Sequence, residues 1–198
     1  MGNIPRQKNL AQTAPGQEGQ QWGDHSDLVI LGSGSTAFAA AVRATELGKS
    51  VVMTEDRTLG GTCLNRGCVP SKNLIGAAQL VYDSSHPRYP GLQSAPMTFN
   101  MPELIEQKDE LIRTYRQQHY ASLLARDGMP GPRVVYGHAT LVDPHTIEVR
   151  ASDGSLHHLR GEQILIATGS SPFLPDITGL AETPYLTSDL LSSRERCL

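Results

Sequence analysis

The chain has 198 residues, of which 38% are hydrophobic, and a formal net charge of −3 at pH 7. This length suffices for the core of one domain and is too short for two full ones. The slightly negative charge offers no electrostatic footprint for nucleic acid or an anionic membrane, so we expect neither as a partner. No apolar run approaches the roughly 18 residues of a spanning helix, and no basic and apolar leader opens the chain, which favours a cytoplasmic location.

Residues 1–24 are rich in Gln, Gly and Pro and contain few large apolar side chains. Such a segment cannot offset the entropy of ordering, so we expect a disordered tail followed by one folded domain over 25–198. Of the three cysteines, Cys63 and Cys68 are closely spaced, whereas Cys197 lies near the chain end in no motif and is interpreted as incidental. This usage suits a reducing compartment, where disulfides are transient and catalytic.

A short apolar strand is predicted over residues 27–31, followed at once by the motif Gly32-x-Gly34-x-x-Ala37 and an Ala-rich helix. Glycines at such a turn let the backbone approach a pyrophosphate at the helix N-terminus, whose N–H groups and dipole favour negative charge. The motif alone is weak, because a tight strand-to-helix turn can exist without a ligand.

The next predicted strand, residues 50–55, removes most of that ambiguity. It places Glu55 about twenty residues after the glycines, where a carboxylate can accept hydrogen bonds from ribose hydroxyls. Strand, helix, second strand and acid therefore follow the order of a dinucleotide-binding βαβ unit.

Cys63 and Cys68 are five positions apart, and in a regular helix they would be about 140° apart around the axis and about 7.5 Å along it. That separation is too large for an unstrained disulfide, so we expect a distorted first turn, with Gly67 supplying backbone freedom. A helix that begins near Cys68 would bring N–H groups and a positive dipole end to the thiols, and Arg66 adds a cation. Such surroundings favour thiolate, the form that exchanges disulfides and binds soft metals.

A structural disulfide, or two buried thiols that happen to be close, is the alternative for this pair. The thirteen residues 60–72, however, match the pattern G-G-T-C-x-N-x-G-C-x-P-S-K. This run resembles the redox-active segment of the flavoprotein disulfide reductases, which include dihydrolipoamide dehydrogenase, glutathione reductase and mercuric reductase. The resemblance implies that Cys63 is the exchange thiol, Cys68 the charge-transfer thiol against the flavin, and Lys72 the lysine beside flavin N5. Position 66 is often aliphatic in the family and is Arg here.

The resemblance implies FAD as the cofactor, with NAD(P)H as co-substrate. It also implies an α/β fold: a Rossmann-like FAD-binding domain with a parallel sheet, helices and a small antiparallel β-meander. Matching positions in this sequence give the expected cofactor contacts, which are Gly32, Gly34, Ala37, Glu55, Gly61, Thr62, Lys72, Ala139, Thr168 and Gly169.

Two helices are predicted between the cysteines and the later strands. The first continues from Pro70 to Val81 and gives way to an irregular loop over 83–97, which contains three prolines. The second is long and amphipathic over about 101–124, and the Gly- and Pro-rich residues 127–132 end it. Its aromatic side chains are interpreted as packing groups.

A meander is predicted from strands at 133–141, 145–150 and 156–160. Ala139 belongs to a G-x-A sequence that in the family brings main-chain groups to the adenine. A further apolar strand, 163–169, ends in A-T-G and also resembles the family. The segment 183–191 resembles mercuric reductases, whereas residues 176–179 depart from the usual I-P-G ending.

His138, His157 and His158 invite interpretation as a metal site. Adjacent residues of a strand point to opposite faces, and no carboxylate or cysteine cluster accompanies these three. The metal interpretation is therefore rejected.

Complete subunits in the family are more than twice this length, so the chain resembles the N-terminal portion of a larger, homodimeric reductase whose NAD(P) and dimerisation domains are absent here. We expect the parent to reduce Hg(II), held as substrate by Cys63 and Cys68, and the isolated portion to bind FAD weakly and to be inactive. The alternatives are dihydrolipoamide dehydrogenase or a related disulfide reductase, and, from another class, a non-catalytic FAD-binding module.

Overall fold

The computed structural model describes residues 25–124 and 131–191, which form a mixed α/β fold. Six strands and six α-helices occur in these residues, together with one π-helical turn at Gln117–Ala121. The strands are β1 His25–Leu31, β2 Val51–Glu55, β3 Arg133–Tyr136, β4 His138–Asp143, β5 Thr146–Arg150 and β6 Leu156–Ile166. The helices are α1 Ser35–Glu46, α2 Gly61–Asn65, α3 Cys68–Ser85, α4 Met101–Arg116, α5 Ser122–Leu124 and α6 Ser188–Leu191.

The chain divides into two compact units. The first comprises the residues up to Gly61 together with Arg116–Ser170, and it holds all six strands. The second comprises Thr62–Tyr115 and the residues from Ser171 onward, and it is helical. The single domain expected over 25–198 stays a prediction, and the tail expected over 1–24 lies outside the described residues.

All six strands of the first unit join one sheet in the order β3-β2-β1-β6-β5-β4. The pairs β1–β2, β1–β6 and β2–β3 are parallel, and β4–β5 and β5–β6 are antiparallel. The central strand β1 places Val29 opposite Val52 on one side and Ile164 on the other. The predicted α/β fold, with a parallel sheet and an antiparallel meander, is confirmed.

The residues of β1 and β2 explain where the core lies. Residues 28–31 of β1 and residues 51–53 of β2 are apolar and buried or half-buried, as expected for strands covered on both faces. Successive side chains point to opposite faces, so Ile30 and Met53 join one hydrophobic cluster with Phe38 of α1. Val29 and Val52 join the other, whose remaining buried members are Leu31, Ile147, Val149 and Leu159.

Two strand predictions need correction. The strand expected over 133–141 is broken at Gly137, where an added Cβ would lie 2.5 Å from the carbonyl oxygen of Arg150. Conversely, the segments expected at 156–160 and 163–169 are one strand up to Ile166, so the A-T-G residues follow the strand instead of belonging to it.

The helix predictions hold with shifted ends. Helix α3 begins at Cys68 and runs to Ser85, into the segment expected to be loop. The long amphipathic helix is present as α4, the π-helical turn and α5, while residues 125–130 lie outside the described part of the chain. Among the described residues, no helix combines the length and the apolar character that crossing a membrane requires.

Candidate functional site

Gly32 makes the turn that opens the candidate nucleotide site. It has φ +112°, a conformation that glycine adopts readily and other residues do not. An added Cβ would lie 2.4 Å from the carbonyl oxygen of Ala167, which precedes the predicted contact Thr168. The Gly32 N–H also donates to the Thr54 carbonyl at 3.0 Å. The backbone therefore passes directly against that of the A-T-G segment, and no side chain fits between them.

A second glycine loop packs against the first. Gly61 has φ +66°, and a Cβ on it would lie 2.7 Å from Gly34 Cα. The N–H of Gly60 donates to the Ser33 carbonyl at 3.0 Å. Two backbones thus meet without intervening side chains, which explains why the predicted contacts Gly34 and Gly61 are both glycine.

The N-terminus of helix α1, which follows the glycine loop, is suited to binding an anion. Gly34 is the N-cap and is extended, no side chain makes a capping hydrogen bond, and no acid lies in the first turn. The first N–H groups of an α-helix have no intrahelical acceptor, and the helix dipole adds positive potential there. Uncapped donors beside a cradle too narrow for a Cβ fit a pyrophosphate, which binds backbone N–H groups at close range. Ala37, another predicted contact, is fully buried against the sheet instead.

Glu55 turns its carboxylate toward the glycine loop. It is 9% exposed, and its Oε2 accepts a hydrogen bond of 2.5 Å from the hydroxyl of Ser33. Its Oε1 accepts from the Arg57 N–H at 2.7 Å. Each carboxylate oxygen has a second lone pair, so a ribose hydroxyl can still donate to it. The predicted ribose contact therefore lies beside the loop, and its role stays a prediction.

Ser33 was missed by the sequence analysis. It occupies the variable position between the two glycines, is 1% exposed, and orients Glu55. The only signal available in the sequence was a hydroxyl residue in the loop together with an acid at the end of the next strand.

The remaining predicted nucleotide contacts differ from one another in exposure and packing. Ala139 lies on β4 opposite Val149 and packs against the second hydrophobic cluster, which leaves its main chain for any adenine contact. Thr168 is exposed, and Gly169 has φ +70° with no atom near the position of an added Cβ. The cofactor roles of these residues stay predictions.

The cysteines are brought together by a break between helices α2 and α3. Helix α2 ends at Asn65, Gly67 has φ −119° and ψ −110°, and α3 begins at Cys68. A Cβ on Gly67 would lie 3.1 Å from the Thr62 carbonyl oxygen and 3.4 Å from Cys63 Cα. The predicted distortion of the first turn is confirmed, and this close approach explains the glycine.

Cys63 and Cys68 are exposed thiols, and their side chains are hydrogen-bonded to each other. The pKa of the Cys63 thiol is raised above its usual value, chiefly by that hydrogen bond and further by burial and the charge of Cys68. The Lys72 ammonium acts in the opposite direction. The expectation that the surroundings favour thiolate is therefore not met at Cys63, because the hydrogen bond to Cys68 and burial both favour the protonated thiol.

Lys72 lies one turn into α3, on the same helix face as Cys68. Arg66, which we expected to act as the nearby cation, instead forms an ion pair with Asp189, its Nε lying 3.5 Å from Oδ2. Asp189 was another residue that the sequence analysis missed. Thr62, a predicted cofactor contact, is exposed and accepts the Arg66 N–H through its carbonyl.

The predicted site residues divide between the two units. The first brings together Gly32, Gly34, Gly61 and Glu55, and the second brings together Cys63, Cys68 and Lys72. The three histidines considered above as metal ligands are exposed. In the structure, His138 lies 3.5 Å from Asp56 and His158 lies 3.6 Å from Glu148.

Comparison with known proteins gives a consistent family assignment. The model of the pyridine nucleotide-disulphide oxidoreductase family matches residues 26–197. A mercuric reductase of Streptomyces lividans is 44% identical over 163 residues, covering 82% of this chain and 34% of that protein. A mercuric reductase of Lysinibacillus sphaericus is 41% identical over 168 residues, covering 85% of this chain and 29% of that protein. The chain therefore spans about a third of the length of the curated relatives it matches.

Solved structures agree with the sequence relatives. The Cu(II) complex of RclA, an HOCl-induced flavoprotein disulfide reductase from Escherichia coli, superposes with a TM-score of 0.71 at 26% identity. The match covers 86% of this chain and 35% of RclA. Sequence and backbone likeness thus each cover more than four fifths of the chain.

Proposed function

Because the chain belongs to the pyridine nucleotide-disulphide oxidoreductase family, we propose that its intact parent is an FAD-dependent mercuric reductase. The single observation that carries the proposal is the hydrogen-bonded pair of exposed thiols, Cys63 and Cys68, held together at the break between α2 and α3. The similarity to two mercuric reductases at 44% and 41% identity supports Hg(II) as the substrate.

FAD would be held by the glycine cradle, and when bound it supplies two-electron transfer from NAD(P)H to the disulfide. The N–H groups at the start of α1 would bind its pyrophosphate, and Glu55 would accept from its ribose. Cys68 and Lys72 would face its ring. The other contacts proposed are Gly32, Gly34, Ala37, Gly61, Thr62, Ala139, Thr168 and Gly169.

Cys63 and Cys68 would alternate between disulfide and dithiol. Two electrons and two protons break the S–S bond and leave two thiols, which release their protons when the sulfurs bind Hg(II). Thiolates are the ligands that soft metal ions prefer, so one dithiol can serve a metal ion as well as an organic disulfide. The overall reaction is NAD(P)H and Hg(II) giving NAD(P)⁺, Hg(0) and a proton.

A disulfide substrate such as lipoamide is the second candidate. The superposition on a flavoprotein disulfide reductase supports this second candidate. The same thiol pair would serve either substrate. We further propose that the parent is a homodimeric, cytoplasmic protein that binds neither nucleic acid nor membrane. We also propose that the isolated chain does not catalyse the reaction, since about two thirds of the relatives' length has no counterpart here.

The test is NADPH oxidation by the intact protein with Hg(II), compared with lipoamide. We expect Hg(II)-dependent turnover, reduced at least 100-fold by Cys63→Ser or Cys68→Ser and unchanged by Cys197→Ser. Faster turnover with lipoamide would support the second candidate. A non-catalytic FAD-binding module would oxidise NADPH with neither substrate and would show no long-wavelength thiolate-to-flavin absorbance on anaerobic two-electron reduction.

A further inference from the structure

The hydroxyl of Ser33 connects the acid at the end of β2 to both glycine loops of the first unit. Ser33 lies between Gly32 and Gly34 and is 1% exposed. Its hydroxyl donates to Glu55 Oε2 at 2.5 Å. The Gly60 N–H donates to the Ser33 carbonyl oxygen at 3.0 Å and to its hydroxyl oxygen at 3.3 Å. A hydroxyl can donate and accept at the same time, so this one side chain joins the acid to the second loop.

The backbone of the turn does not require serine at this position. Among the described residues only glycines have a positive φ, so the conformation of Ser33 is open to alanine as well. The cap of helix α1 does not require it either, because the N-cap is Gly34 and no side chain makes a capping hydrogen bond there. What distinguishes serine from alanine here is therefore the pair of contacts that its hydroxyl makes.

The carboxylate of Glu55 is held at both of its oxygens. Oε1 accepts from the Arg57 N–H at 2.7 Å, while Oε2 accepts from Ser33. The terminal torsion of a glutamate side chain is broad, so a carboxylate that is held at one oxygen only can still rotate. Glu55 is 9% exposed, which leaves little water to replace a lost donor. Removing the Ser33 hydroxyl would therefore release one side of the carboxylate and leave its charge in place.

We propose that Ser33 is a positioning residue, which orients the Glu55 carboxylate so that the site selects a nucleotide whose adenosine ribose carries its 2′-hydroxyl. The proposal rests on the proposed function, in which Glu55 accepts a hydrogen bond from the ribose of FAD. A hydrogen bond weakens steeply when its angle is poor, so the acceptor oxygen has to be held in place. A carboxylate that rotates would attract the hydroxyl less and would discriminate less against a ribose without it.

The selection can be measured as two dissociation constants of the intact protein after its flavin has been removed. The ligands are FAD and the FAD analogue whose adenosine ribose lacks the 2′-hydroxyl, and the change in flavin fluorescence reports binding. The unsubstituted protein should bind FAD about tenfold more tightly than the analogue, because a hydrogen bond to a charged acceptor is lost with the hydroxyl.

We expect Ser33→Ala to weaken FAD binding about three- to tenfold and to weaken binding of the analogue less than about twofold, so that most of the preference for FAD is lost. Glu55→Ala should abolish the preference, and adding Ser33→Ala to it should change the preference no further. A role of Ser33 in local structure alone would weaken both ligands equally, and that loss would add to the effect of Glu55→Ala.

Ser26→Ala is the matched control, because Ser26 is a buried serine of the same unit at the other end of β1. It should leave both dissociation constants unchanged. A Ser33→Ala protein that keeps the full preference for FAD would overturn the proposal. Should Ser33→Ala fail to fold, Ser33→Cys decides, since a thiol has a similar shape and is a weak donor. Full preference in that variant would likewise mean that the hydroxyl does not position the carboxylate.

The same titrations separate this inference from the proposed function. If the intact protein binds no FAD, the proposed function fails and the inference fails with it. If it binds FAD and the analogue equally well, or if its preference survives the loss of the Ser33 hydroxyl, FAD remains the cofactor and only the positioning role of Ser33 is wrong.

Discussion

The identity of individual glycines in the site is determined mainly by how closely two backbone segments approach each other. Gly32 faces the Ala167 carbonyl, Gly61 faces Gly34, and Gly67 faces the carbonyl of Thr62. A sequence motif predicts these glycines because the positions at which no side chain fits have a fixed spacing. It predicts less well the residues that act through a distant partner, such as Ser33 with Glu55, because nothing local marks their pairing.

Gly32→Ala should therefore be far more damaging than the same change at Gly48. Both glycines have positive φ, which costs alanine about 1–2 kcal/mol. At Gly48 no atom lies within 4 Å of the added Cβ, whereas at Gly32 the Ala167 oxygen lies 2.4 Å away. Urea unfolding should show a loss of about 1–2 kcal/mol for Gly48→Ala and a clearly larger loss for Gly32→Ala. Equal losses would mean that the loop moves aside and that close approach does not explain the glycine.

At the scale of elements, the sequence predicted the βαβ unit well because its strands are apolar and its helix follows a glycine turn. It failed at β6, which was divided into two strands around Gly161. That glycine is buried, and a Cβ on it would lie 2.7 Å from Val29 Cγ2 of the adjacent strand. Glycine therefore allows β6 to continue past β1, a tertiary reason that a strand pattern cannot reveal.

The start of β1 is fixed to the start of β2 by Asp27. Its Oδ2 accepts hydrogen bonds from the Ser50 hydroxyl at 2.6 Å and the Ser50 N–H at 2.8 Å, and its Oδ1 lies 3.1 Å from Lys49 Nζ. These contacts hold the pKa of Asp27 well below its usual range, the Ser50 hydroxyl contributing most. The carboxylate form is therefore the one that stabilises this junction.

Asp27→Asn should lower stability at pH 7 and matter progressively less in acid. Because the folded-state pKa is depressed, the stabilisation is present above the unfolded value of about 4 and is lost as pH falls through the lower folded value. The urea midpoints of parent and variant should thus converge below about pH 4. Ser50→Ala removes the main donor and should reproduce part of the effect without adding fully to Asp27→Asn. A constant difference between pH 7 and pH 3 would contradict this role of Asp27.

At the scale of the molecule, the two units differ in how much apolar surface they bury. The first has two hydrophobic clusters on opposite faces of its central strands. The second leaves large apolar side chains exposed, including Phe173 at 86%, Tyr89 at 71% and Ile75 and Leu80 at 64%. We expect part of this apolar surface to be covered in the intact protein, since a contiguous exposed apolar patch marks a surface that binds other protein.

The 198-residue chain should therefore bind the dye ANS strongly while its secondary structure is intact, because ANS reports exposed hydrophobic surface. Phe173→Ser and Tyr89→Ser should each lower the fluorescence, since they remove two of the most exposed apolar side chains without opening a cavity. Ile105→Ser, a buried position of the same unit, should raise it by loosening the packing around α4. The intact protein should bind little dye per molecule. Equal fluorescence from the isolated chain and the intact protein would show that these side chains stay exposed, and the proposal of a covered surface would be wrong.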